Sequence, residues 1–163
     1  MSNTKFHITE IKTEDKTLVA SFISKNWGSP IVVVKSKMYN SVELPGFIYK
    51  ENEKIIGLIT YKIENDYCEI VTLDSKLENK GLGTSLLNKV IDLSRKNTCK
   101  RIWLITTNDN TKAIRFYQKR GFEWNGFYKN AIKVSRRLKP EIPEFGFDSI
   151  PIKHEIEFEL KLE

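Results

Sequence analysis

Gly81 and Gly83 stand one residue apart between two differently patterned stretches. Before them, residues 68–73 are short, apolar and rich in β-branched side chains, which predicts a strand; after them, Leu82, Leu86, Val90 and Leu93 recur at helical spacing. A strand therefore feeds a helix through the polar residues 74–80, and the connection ends in Gly-x-Gly. Amides at a helix N-terminus carry partial positive charge, and residues without Cβ let a bulky anion come close, so the pattern outlines a phosphate cradle. By itself it is equally the pattern of a tight turn. A second stretch, residues 107–122, places Asn110, Ala113, Phe116, Tyr117, Gly121 and Phe122 along one further helix and its exit.

Taken together, the two stretches resemble the GNAT superfamily of N-acetyltransferases. Its signatures are (Gln/Arg)-x-x-Gly-x-(Gly/Ala) after a central strand, then Asn-x-x-Ala-x-x-(Phe/Leu)-Tyr-x-x-x-Gly-Phe. The second is complete from Asn110 to Phe122; the first is matched at Gly81 and Gly83 but opens with Glu78 where Gln or Arg is usual. A carboxylate beside a bound pyrophosphate costs energy unless it turns away or pairs, and Lys76 and Lys80 are the expected partners. The resemblance covers about a third of the chain, from Glu69 to Phe122.

The resemblance implies a mixed α/β (α+β) fold, with a largely antiparallel central sheet flanked by helices and a parallel strand pair that splays at the cofactor site. It implies acetyl-CoA as cofactor and direct transfer of the acetyl group to an amine. The amides of Leu82, Gly83 and Thr84 beside Gly81 would hold the pyrophosphate, with the Thr84 hydroxyl and Lys80 in support, while Thr72, Leu73 and Ser75 offer backbone to the cofactor arm. Asn110 would cap its helix and bond the same arm, and Tyr117 would both touch the cofactor and protonate the departing thiolate. An ammonium acceptor needs a base, and Glu69 is the best-placed carboxylate, provided that burial raises its pKa; a solvent-facing strand residue or a water chain is the alternative. Trp27 and Tyr39, with Phe145 and Phe147 of the proline-bearing loop, are the candidate acceptor-binding residues.

A length of 163 residues at 40% hydrophobic suits one domain spanning 1–163. Residues 6–11 predict a first strand with His7 on its polar face. A helix follows, capped by Thr13, with Leu18, Val19, Phe22 and Ile23 as its stripe, ending near 27–30. Residues 31–34 should sit against the core. Strands 46–50 and 54–63, joined by a polar turn, lead into 68–73 as an antiparallel meander; a helix to about Asn97, a strand at 101–106, a helix from Asn110 or Thr111 and a strand at 122–127 follow. Residues 128–139 read as a solvated basic helix and 139–151 as a loop. From Ile152 a last amphipathic strand alternates, with His154, Ile156 and Phe158 inward and Glu155, Glu157 and Glu159 outward.

A net charge of +6 suits an anionic ligand without choosing one. Leu86 occupies the third glycine position of a dinucleotide fingerprint, and two distant histidines with two lone cysteines give no zinc spacing, so no metal is expected. Cys68 and Cys99 suggest no disulfide framework, and residues 1–5 carry no apolar signal core, so a cytoplasmic protein without membrane association is expected. The expected partner is a small-molecule or peptide amine, with a homodimer left open and nucleic acid not favoured. A non-catalytic acyl-CoA sensor, or a basic nucleic-acid-binding protein on the same fold, is the competing reading.

Overall fold

The computed structural model describes residues 6–163, so the reading of residues 1–5 lies outside the described part. Nine strands and four α-helices are present among these residues: β1 Thr9–Glu10, α1 Lys16–Trp27, β2 Ile31–Val34, β3 Lys37–Asn40, β4 Gly46–Glu51, β5 Lys54–Glu64, β6 Tyr67–Ser75, α2 Leu82–Lys96, β7 Arg101–Thr107, α3 Thr111–Lys119, β8 Glu123–Tyr128, α4 Ile132–Leu138 and β9 Glu155–Lys161. Seven strands form one sheet in the order β1-β4-β5-β6-β7-β9-β8, and β2 and β3 form a separate hairpin. Within the sheet only β6 and β7 run parallel; every other neighbouring pair is antiparallel. This is the mixed, mostly antiparallel architecture expected from the sequence.

The parallel pair is short. β6 and β7 are in register from Tyr67↔Arg101 to Ile70↔Leu104 and no further, although β6 runs on to Ser75 and β7 to Thr107. The parting coincides with a β-bulge. Against β5, Thr72 faces Thr60 but Ile70 faces Tyr61, which leaves Val71 as the extra residue of β6. A bulge bends its strand and increases the local twist, so the end of β6 is steered away from β7.

Two apolar cores lie on opposite faces of the sheet. On one, α2 buries Leu82, Leu86, Leu87 and Val90 against Ile70, Ile102, Leu104 and Phe158; each such side chain contributes about 1.5–3 kcal/mol. On the other, α1 and the β2–β3 hairpin bury Val19, Phe22, Ile23, Val32, Val34 and Tyr39 against Ile48, Leu58 and Val71. The hairpin turns at Lys35 and Ser36, both left-handed at φ 46° and 62°, the pair that a two-residue turn with the sheet's twist requires.

Four sequence expectations are corrected here. Leu18 is exposed, because α1 lies flat on the sheet and buries only a narrow stripe. Thr13 does not cap α1; the chain enters through a 3-10 turn at Thr13–Asp15, and the Asp15 carboxylate accepts from the Lys12 amide and pairs with Lys50. The basic segment is no free solvated helix, since α4 buries Ile132 and Ser135, and Arg136 donates to the carbonyls of Ile142, Pro143 and Ile152. The acidic face of β9 is not solvated either: Glu155 and Glu157 are buried beneath the β2–β3 hairpin, which lies over the side that simple alternation assigns to water.

Candidate functional site

The site is assembled where β6 and β7 part. Gly81 is the N-cap of α2, in the left-handed region at φ 85°, and a Cβ built on it meets no atom within 4 Å. The space before the first turn of α2 is therefore open. Leu82 and Gly83 open the helix, so their amides are among the donors that no intrahelical carbonyl satisfies. The whole first turn contains no acidic residue. Gly83 differs from Gly81, because a Cβ there would stand 3.3 Å from the ring of Phe116.

That ring belongs to a clamp the sequence reading missed. The Arg120 guanidinium lies 3.6 Å from the Phe116 ring centroid and donates to Thr84 Oγ1 through Nε at 2.9 Å and Nη2 at 2.7 Å. The Thr84 oxygen thus accepts from Arg120 while its O–H remains a donor, and the cation sits at the first turn of α2. Phe116 and Arg120 are four apart at the end of α3, a spacing that stacks side chains on one helix face and could have pointed to the pair. Lys80 is exposed just before Gly81. Glu78 pairs with Lys112 Nζ at 2.8 Å, not with Lys76 or Lys80, because the N-terminus of α3 comes alongside the loop.

On β6, Thr72 is buried and shares a 2.6 Å hydrogen bond with Thr60, Leu73 packs toward the α2 core, and Ser75 is turned onto the backbone of Leu77. These side chains are spent internally. The strand nonetheless leaves its parallel partner before all three, which is what would open its backbone to a ligand arm. Asn110 caps α3 by accepting from the Ala113 amide at 3.1 Å.

Tyr117 is 6% exposed and packs its ring against Phe116, Phe122 and Phe158. Burial, and then the Asp74 carboxylate, push its pKa well above the usual phenol value, so the hydroxyl keeps its proton at neutral pH. Asp74 is a second residue that sequence reading missed. It accepts from the Trp27 indole at 2.8 Å, and burial raises its pKa against that hydrogen bond.

Glu69 is 5% exposed, so it is no solvent-facing strand residue. Oε2 accepts from Tyr39 Oη at 2.8 Å, while Oε1 has no hydrogen-bond partner among the described residues. Burial raises its pKa; the Tyr39 bond and the positive charges of Lys37 and Lys62 only partly offset this. A buried carboxylate with a raised pKa and one free oxygen can take a proton from a bound ammonium. It borders a cleft of about 170 Å³ shared with Tyr67, Arg101 and Trp103.

Of the four acceptor-side candidates, Trp27 and Tyr39 therefore lie against acidic side chains of β6. Phe145 and Phe147 are exposed and lie apart from them. Phe145 borders a separate cleft with Lys133, Arg136 and Lys153, and the Phe147 amide donates to Asp109. The loop bearing both aromatics folds back on itself through the Phe145↔Pro151 bridge. Among the described residues no group of three or more His, Cys, Asp or Glu could hold a metal ion, and no helix is long and apolar enough to cross a membrane.

A family model described as "Acetyltransferase (GNAT) family" matches residues 13–122. The uncharacterized protein YxbD of Bacillus subtilis (strain 168) is 48% identical over 142 residues, 86% of this chain and 89% of that protein. Among solved structures, an IAA acetyltransferase from Bacillus cereus ATCC 14579 is similar with a TM-score of 0.70 and 17% identity, over 97% of this chain and all of that one. A Bacillus subtilis acetyltransferase in complex with CoA is similar with a TM-score of 0.68 and 16% identity, over 98% of this chain and 100% of that one. At such identities the two structures bear on the fold.

Proposed function

Since the chain belongs to the GNAT acetyltransferase family, we propose that it acts as one acetyltransferase domain, moving the acetyl group of acetyl-CoA to an amine by direct attack. The observation that carries this reading is the parting of β6 and β7 after Ile70 and Leu104, beside the open approach to Gly81 at the start of α2. A group with a pyrophosphate and an amide-bearing arm fits that arrangement. The amides of Leu82, Gly83 and Thr84 would meet the phosphates, with Lys80 near them, and the end of β6 at Thr72, Leu73 and Ser75, paired to β5 but free of β7, would bond the arm. The CoA complex of the Bacillus subtilis neighbour supports the same cofactor. When bound, acetyl-CoA supplies the activated acyl carbon; the chain supplies proton transfer and position.

Glu69 takes the proton of the bound ammonium, leaving a neutral nitrogen to form the new bond to the acyl carbon as the carbon–sulfur bond breaks. Tyr117, held protonated by burial, would give its proton to the departing thiolate, and the second proton shed by the newly acylated nitrogen would restore the phenol. Asn110 stays occupied as the cap of α3 through Oδ1, which leaves its amide nitrogen for the cofactor arm. Trp27 and Tyr39 border the acceptor side.

The test is incubation with acetyl-CoA and a panel of amines with detection of released thiol, for wild type and Tyr117→Phe. Release with at least one amine is expected, slowed roughly 10²- to 10⁴-fold by the substitution with acetyl-CoA affinity retained. An acyl-CoA sensor would bind the cofactor and release no thiol with any amine. Equal turnover of the two proteins would remove Tyr117 as the acid.

A further inference from the structure

The β2–β3 hairpin reaches Glu69 through Tyr39 and is fastened at both ends. At its base the Ser41 hydroxyl and amide both donate to the Pro30 carbonyl, at 2.6 Å and 3.0 Å, and Ser41 is fully buried. At its tip the Lys35 amide donates to Glu155 Oε2 at 3.1 Å, and Lys35 Nζ lies 3.3 Å from Glu157 Oε1. Between these anchors Tyr39 is buried and faces the fully buried Val32 across the hairpin. Its hydroxyl donates to Glu69 Oε2 at 2.8 Å. A donor held in this way is in place before the reaction and costs no reorganisation when charge moves.

The bond makes the two oxygens of Glu69 unequal. Oε2 has its donor, whereas Oε1 is buried with no hydrogen-bond partner among the described residues. The other charged and titratable groups around the carboxylate come from the hairpin and from three strands. Lys37 on the hairpin, with Lys62 and Glu64 on β5, act on it by charge alone, and Tyr67 of β6 and Arg101 of β7 border the same cleft. Lys62 is spent on Glu64 at 3.7 Å and Arg101 on Glu159 at 3.0 Å, while Lys62 Nζ also stands 5.7 Å from the Tyr39 ring centroid. Burial, and then Glu69 itself, raise the Tyr39 pKa, so the phenol stays a donor throughout the range in which a carboxyl titrates.

We propose that Tyr39 is the positioning residue of the base, holding Glu69 by Oε2 and reserving Oε1 for the acceptor's proton. The inference rests on the acetyltransferase reading for the role of Glu69. In the step it serves, an N–H bond of the bound ammonium breaks, an O–H bond forms at Oε1, and the electron pair stays on nitrogen. A phenol bonds an ionised carboxylate more strongly than the neutral acid, so Tyr39 also keeps Glu69 ionised to lower pH than burial alone would allow.

The test is a carbon-13 NMR titration of the Glu69 carboxyl in the full chain, with the resonance assigned by Glu69→Gln. Tyr39→Phe keeps the ring and its packing and removes only the donor, so the carboxyl midpoint should rise by about one pH unit. The acid limb of kcat/KM for the amine should move up with it, while the Michaelis constant for acetyl-CoA stays nearly constant. A residue that only packs would move neither midpoint nor limb. In the wild type the Tyr39 Cζ resonance should follow the Glu69 midpoint, which tests the coupling even if Tyr39→Phe does not fold. A carboxyl midpoint that is the same in both proteins overturns the proposal. So does a Tyr39 ring silent to the titration, or an acid limb that stays behind when the midpoint moves. Because the titration needs neither cofactor nor amine, the two readings fail separately. A shifted midpoint with no thiol release strikes the acetyltransferase reading, and thiol release with an unshifted midpoint strikes this one.

Discussion

The Glu69 carboxylate meets two opposed demands. As the proposed base it must ionise, yet burial disfavours the ionised form and raises its pKa. A carboxyl whose folded pKa exceeds the unfolded one favours the fold in its protonated form. Stability is therefore lost as pH climbs from the unfolded value through the folded one. Glu69→Gln should lower turnover by about 10²- to 10⁴-fold and raise the melting temperature at neutral pH, since Tyr39 can still donate to the amide oxygen. The stability gain should vanish in acid, where wild-type Glu69 is protonated too; an equal gain at both pH values would assign it to packing. The acid limb of kcat/KM in the wild type should accordingly sit above the ordinary carboxylate range. At this scale Glu69 stood out by its place in the strand before the glycines, and Tyr117 and Asn110 by the signature from Asn110 to Phe122. Asp74, Arg120 and Lys35 were not, because each is defined by a partner distant in sequence: Trp27, Thr84 and Glu157.

One extra residue, Val71, decides which face the end of β6 presents. Glu69 and Val71 face α1 and the hairpin, Ile70 faces α2, and uninterrupted alternation would send Asp74 to the α2 side. With the bulge, Leu73 packs toward α2 and Asp74 reaches Trp27 of α1. Nothing in the residue types announces that shift. The helices were easier to read, since α2 and α3 carry strong periodicity and α3 is closed by Gly121 at φ 90°. Between these two helices, the glycine, ring and guanidinium stack makes a separable prediction. Gly83→Ala places a Cβ 3.3 Å from Phe116, so the ring must shift and the Arg120 clamp on Thr84 with it. A loss of about 1 kcal/mol in stability is expected, largely recovered in Gly83→Ala/Phe116→Leu by chemical denaturation. CoA affinity should stay low in the double variant if the methyl group also obstructs the phosphate. Full recovery of affinity would mean that the ring alone sets it.

Residues 123–163, beyond the segment that matches the family, join the main sheet rather than form a separate unit. β9 inserts between β7 and β8, so the strand after β7 in sequence is not its neighbour in space. Chain order suggests neighbours, and sequence alone gave no sign of the insertion. The connection between β8 and β9 carries α4 and is tied to the opposite side of the fold by one buried cation. Lys139 Nζ donates to the carbonyl oxygens of Trp27 at 2.5 Å and Ile31 at 2.7 Å, closing the turn between α1 and β2. Burial lowers its pKa, with Glu141 in partial opposition, so the ammonium is held at a cost that these two carbonyls offset. Lys139→Met keeps most of the stem but leaves both carbonyls without that donor, and a loss of about 1–3 kcal/mol is expected in urea unfolding. Trp27 begins the segment that carries the hairpin, whereas the glycine cradle stands on α2, which Lys139 does not touch. The Michaelis constant for the amine should therefore rise several-fold with that for acetyl-CoA nearly constant. If both constants rise together, the tie supports the whole sheet and not the acceptor side alone.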